Sequence, residues 1–158
     1  MLNRILVLAW CLAPSMFAGL LRVELSERSD VLGGATFGSA GAYERMIGKA
    51  YFAVDPKLLA NRIIIDIDKA PRNANRLVEF SADIHVLKPR DPERGNGAVL
   101  YEVSNRGGKG MLGMFNRASG STNPKTAAEF GDNFLLDRGY TLVWPVPSAI
   151  VTCFGKPK

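Results

Sequence analysis

Apolar and polar positions alternate most cleanly over Val78 to Leu87, where Val78, Phe80, Ala82, Ile84 and Val86 fall on one face and Glu79, Ser81, Asp83 and His85 on the other. That two-residue period predicts a strand with one face on a core and the other in water, ended by Lys88-Pro89. Upstream the chain is also β-rich. Arg22-Val23-Glu24-Leu25 alternates and predicts a short strand, and Phe37-Gly38-Ser39-Ala40-Gly41-Ala42 is a small-residue loop. Tyr43 to Val54 carries no helical stripe and stops at Asp55-Pro56, which predicts a strand and then a turn. Arg62 to Asp68 holds three consecutive isoleucines, stiff at χ1 and favoured on pleated surfaces, and predicts another strand before the turn material Ala70-Pro71-Arg72-Asn73. Arg90 to Gly97 is a polar connection within one domain.

The second half has a different rhythm. Ala98-Val99-Leu100-Tyr101-Glu102-Val103 is a short, mostly apolar run of the kind covered on both faces in a parallel sheet. It ends in Ser104-Asn105-Arg106-Gly107-Gly108-Lys109-Gly110, whose glycines let the backbone turn at positive φ and present bare N–H groups to an anion. Asn123-Pro124 and the capping-box spacing of Thr126 and Glu129 mark a helix start. Ala127, Phe130, Phe134 and Leu135 then share one face, and Arg138-Gly139 supplies a cationic last turn and a terminating glycine. Tyr140-Thr141-Leu142-Val143-Trp144 follows with the β-branched and aromatic content of a strand. The prediction is an α/β protein: a β-rich N-terminal part followed by one βαβ unit with a right-handed crossover.

Composition narrows the class. A chain of 158 residues that is 47% hydrophobic and 22% charged buries one ordinary core and is not disordered. Its net charge of +5 comes from basic residues spread among acids, without an aromatic-basic RNA motif or a helix-turn-helix pattern, so no nucleic-acid partner is expected.

The N-terminus is different in kind. Ile5 to Ala13 is an unbroken apolar run after Asn3 and Arg4, with Pro14, Ser15 and Ala18 near a cut site, which predicts a secretory signal peptide over 1–18. Pro14 interrupts the run and its length falls just short of the roughly 20 residues that span a bilayer, so an uncleaved anchor is the weaker reading. A secreted or periplasmic location follows, with membrane contact only through the leader. Cys11 lies in that leader and Cys153 in the tail, so processing leaves no intramolecular disulfide.

Several stretches together carry a resemblance: Phe37 to Arg45 (FGSAGAYER), Ala70 to Ala74 (APRNA), Val78 to Asp83 (VEFSAD), Leu100 to Gly107 (LYEVSNRG) and Arg138 to Trp144 (RGYTLVW). At this spacing they resemble the N-terminal portion of the bacterial alpha/beta hydrolase domain-containing proteins, over most of the chain. The resemblance implies a partial α/β-hydrolase fold over 19–144. Ala98 to Val103 would be its third strand, Thr126 to Arg138 its first helix and Tyr140 to Trp144 its fourth strand. It places Asn105, Arg106, Gly107 and Gly108 in the loop that donates an oxyanion-hole N–H, and implies a small-molecule ester as substrate of the full-length protein.

The chain also departs from that pattern. Similar members continue past the fourth strand into a nucleophile elbow, whereas residues 145–158 form a divergent tail, the expectation being a truncated or frameshifted product or a fragment. Serine-dependent acyl transfer needs a nucleophile on a G-x-S-x-G turn, a base and an acid to orient it. No G-x-S-x-G occurs and the single histidine is His85, so no catalytic residue is assigned and the chain alone is expected to be inactive.

The other candidates reduce to plainer readings. His85 sits on the polar face of an early strand, whereas the hydrolase base follows the nucleophile and acid in chain order, so a solvated strand histidine is expected. Gly107-Gly108-Lys109-Gly110 fails as a phosphate loop because Val103 stands where the first glycine belongs. Asp66 and Asp68 resemble the start of a calcium loop, but Pro71 holds the position of the obligatory glycine. No cofactor or metal is expected. A sheet ending at its fourth strand leaves an open edge suited to self-association. The alternative to the hydrolase reading is a non-catalytic β-rich binding or structural module.

Overall fold

A computed structural model describes residues 19–103 and 108–146; the predicted leader, the 145–158 tail beyond its first two residues, and Ser104 to Gly107 lie outside the described residues. The fold is mixed α/β, with a six-stranded sheet and few helices. Its strands are β1 (Gly19–Asp30), β2 (Thr36–Phe37), β3 (Gly41–Val54), β4 (Val78–Pro89), β5 (Val99–Tyr101) and β6 (Thr141–Val146). The order is β1-β3-β4-β6-β5, with β2 paired to β3. Every neighbouring pair is antiparallel except β5 and β6, which run parallel. Between that parallel pair lie α1 (Gly110–Asn116), α2 (Ala127–Phe130) and α3 (Phe134–Asp137).

One face of the sheet carries the main core. Residues opposite one another in a sheet point to the same side, so Arg45, Leu87 and Leu142 form one row and Ile47, His85 and Trp144 the next. Met111, Leu112, Phe130, Leu135 and Leu136 from the helices close over Tyr43, Leu87, Leu142 and Trp144, with Val31 and Phe37 at the side. Tyr43 ties this layer to the crossover by donating its hydroxyl to the Tyr140 carbonyl at 3.0 Å.

Several sequence expectations hold. Tyr43 to Val54 and Val78 to Leu87 are strands, and the crossover unit has the strand–helix–strand order read from its pattern. The capping box at Thr126 and Glu129 is formed, with Glu129 accepting from the Thr126 N–H at 2.8 Å.

Others are corrected. The Arg62 to Asp68 strand does not form. The chain there runs through successive three-residue turns, with Ile64 N–H to Asn61, Ile67 N–H to Ile64 and Ala70 N–H to Ile67, and only Ile67 is buried. Three adjacent β-branched residues give no alternating face, and among the described residues no strand pairs with them. The expected β4 faces hold only in part. His85, against Trp144, and Leu87, in the main core, are buried, as is Ser81, whereas Phe80, Ile84 and Val86 are only half-buried and Val78 alone of the expected apolar face is buried, so the covering layer outweighs intrinsic hydrophobicity.

The run expected to be buried on both faces is the three-residue edge strand β5, whose Val99 and Tyr101 are exposed while Leu100 packs on the core. The helix expected over Thr126 to Arg138 is split at Gly131 to Asn133, where Gly131 takes φ +69 and Asn133 φ +62. That kink turns Phe134 outward and brings Leu135 and Leu136 inward together. Pro124 is buried ahead of the cap instead of opening the helix, and β1 is far longer than its alternation suggested.

Candidate functional site

The candidate loop leaves the carboxyl end of β5, and its two flanks are fixed by one side chain. Glu102 Oε2 accepts from the Trp144 indole Nε1–H at 2.7 Å and from the Met111 N–H at 2.9 Å, while the Glu102 N–H reaches the Val143 carbonyl at 3.0 Å. A carboxylate at the end of an apolar strand is costly to bury unless hydrogen-bonded. Here it joins the end of β5, the start of α1 and the middle of β6. Gly110 leaves room at this junction, because a Cβ there would stand 2.6 Å from Glu102 Oε1 and the carboxylate would have to shift.

Within that clamp, Asn105, Arg106 and Gly107 lie outside the described residues, and Gly108 is half-buried beside the buried Lys109. The Lys109 ammonium lies 5.4 Å from the Trp144 ring centroid. On β4 the His85 ring meets the same indole edge-on, with centroids 5.6 Å apart. Trp144, wholly buried, is thus flanked by two nitrogen-bearing side chains of separate elements.

Both side chains are buried, and their electrostatics follow from that burial. Burial, chiefly, and then the Lys109 and Arg45 charges push His85 down to about 3, with Glu27 opposing. Burial lowers Lys109 while Glu102 pulls it upward. His85 is only 3% exposed, so the expected solvated histidine is corrected: it is neutral, and among the described residues its Nε2 has no hydrogen-bond partner. A catalytic base requires a third group to orient it, and among the described residues no carboxylate is hydrogen-bonded to His85.

His85 and Lys109 line an open cleft of about 660 Å³ on the sheet, together with Lys49, Asp83 and Asn123. Lys49 and Asp83 pair at 3.1 Å across β3 and β4. Arg45 donates to Asn123 Oδ1 at 2.9 Å, holding the segment before α2 against the sheet. Since Asp83 and His85 stand opposite Val146 and Trp144, the cleft lies toward the carboxyl end of β6. In open α/β sheets that end is where crevices hold ligands.

Of the residues selected by sequence, His85 lines this cleft, whereas Gly108 is half-buried next to Lys109 and is not among the lining residues. Glu102 and Trp144, which hold the site together, were not selected. The signal for Glu102 was present, as it is the one charged residue in the run Ala98 to Val103. Among the described residues no group of three or more His, Cys, Asp or Glu is placed to hold a metal, and no helix is long and apolar enough to cross a membrane. In comparisons with protein-family models, curated proteins and solved structures, nothing matches the chain.

Proposed function

We infer that the chain supplies the first part of an exported α/β-hydrolase-like esterase: a partial α/β-hydrolase sheet with its oxyanion loop at residues 105–108, and no nucleophile. The observation that carries this reading is the junction at Glu102. The glycine-rich loop leaves the carboxyl end of a strand, is clamped at both flanks and re-enters the fold through Lys109, which lines the cleft. Amides presented from such a loop stabilise a developing oxyanion, provided that the donors are held before the charge appears. The parallel pairing of β5 with β6 across the helices supports the same reading, because it is the arrangement required of the third and fourth strands.

The acyl-transfer set is not among these 158 residues. Among the described residues His85 has neither a nucleophile nor an orienting acid bonded to it. The chain by itself is therefore expected to turn over p-nitrophenyl butyrate no faster than buffer and to take up no fluorophosphonate. Serine labelling accompanied by loss of turnover would contradict the assignment. A non-catalytic module is the second reading, favoured by the long antiparallel layer of β1, β3 and β4, which outweighs the short helices.

A further inference from the structure

The connection between β3 and β4 presents a feature that the cleft does not use. Leu59, Ile63 and Ile65 are 78%, 85% and 89% exposed, and Ile64 is half-exposed beside them. Scattered exposed aliphatics are ordinary, but four within seven positions of one loop make a contiguous apolar tip. Nor is the loop loosely attached. Ile67 is buried with Val54 and Val78 in a second small core, and Asn61 Nδ2 donates to the Asp55 carbonyl at 2.8 Å. The anchor is internal and the isoleucines are held outward.

The charges around the tip favour one kind of partner. Lys57, Arg62, Lys69, Arg72 and Arg76 are all exposed, against the three carboxylates Asp55, Asp66 and Asp68 over 55–77. Asp66 is paired with Lys69 at 2.7 Å, and Asp55 accepts from the Lys57 N–H at 2.9 Å. Because residues 61–67 follow consecutive turns, the isoleucines radiate from the chain instead of forming the single stripe that a rigid protein groove would read. A fluid acyl layer accepts radiating aliphatics, and anionic headgroups accept the surrounding cations.

We propose that the loop of residues 57–76 docks the folded domain on an anionic lipid bilayer, with Leu59 and Ile63 to Ile65 entering the acyl boundary. None of these residues lines the cleft, so the proposal stands whether or not the hydrolase reading does.

The test uses the full chain with nanodiscs of phosphatidylcholine, with and without phosphatidylglycerol, and a doxyl-labelled lipid. Because the apolar run of residues 5–13 would itself enter lipid, the readout is local: the δ1-methyl signals of Ile63 and Ile65. These are expected to broaden in the anionic discs and much less in the neutral ones, while Ile84 is unaffected. The double variant Ile63→Ser/Ile65→Ser is expected to raise the lipid concentration for half-maximal broadening of the Ile64 signal by about tenfold or more. Broadening confined to other residues, or an unchanged lipid dependence in the variant, would overturn the proposal. So would concentration-dependent shifts of these methyls without lipid, which would assign the tip to a second copy of the chain.

Discussion

At the scale of single residues, His85 is the most informative, because its buried ring has exchanged water for an indole edge and gained no hydrogen bond at Nε2. With its folded pKa pushed down to about 3, the unfolded chain takes up a proton below about 6.5 that the folded chain refuses. This residue therefore leaves stability unaffected above that value and lowers it on acidification, by about 1.4 kcal/mol per pH unit at most, until about 3. NMR should show the His85 Cε1–H in its neutral position from pH 8 to pH 5, and His85→Leu should remove its share of the acid limb in thermal melts. A midpoint near 6.5 would place the ring in water.

Asn116 holds the helical layer together. It is wholly buried, donates to the Phe130 carbonyl at 3.0 Å and accepts from the Leu135 N–H at 3.0 Å, joining α1 to the end of α2 and the start of α3. Asn116→Leu leaves both backbone groups unpaired and should cost about 2 to 4 kcal/mol by urea denaturation. A loss below 1 kcal/mol would mean that the kink is held by other contacts.

That kink shows how legible the elements were. Its start was visible because Thr126 and Glu129 act through local hydrogen bonds, and its end because Gly139 adopts φ +77 after the last turn. Its interruption depends on Asn116, distant in sequence, and on Gly131, where a Cβ would run into the Asn116 carbonyl. No window of local sequence contains that contact. The β4 strand was legible in its period, but which face is covered was decided by Trp144 and the helices. The isoleucine run was misread because β propensity acts only where a neighbouring strand is available. The contact that ties the end of β5 to the start of α1 was not legible, because it required Glu102, Met111 and Trp144, from separate parts of the sequence, to meet.

At the scale of the whole molecule, β5 is an edge strand with no partner on its outer side among the described residues. Val99, Tyr101 and Val103 are exposed beside Met114 and Phe115, leaving backbone groups and an apolar surface available to another chain. Concentration-dependent association is expected in light scattering, and Tyr101→Lys should weaken it, since a charge on an edge strand opposes strand addition. Equal association in the variant would move the contact elsewhere, to the opposite edge strand β1 with its exposed Leu20, Leu21, Val23 and Leu25 or to the isoleucine tip of the β3–β4 loop.

The proposed function requires the backbone donors of residues 105–108 to reach the cleft that Lys109 lines. Its most direct test is a titration of the 15N-labelled full chain with butylphosphonate, which presents an anionic oxygen on a short acyl-like tail. Saturable shifts concentrated in the amides of residues 105–108 are expected, with smaller changes at Lys109 and His85. A folded chain whose amides in that loop stay fixed, while signals move elsewhere or not at all, would contradict it.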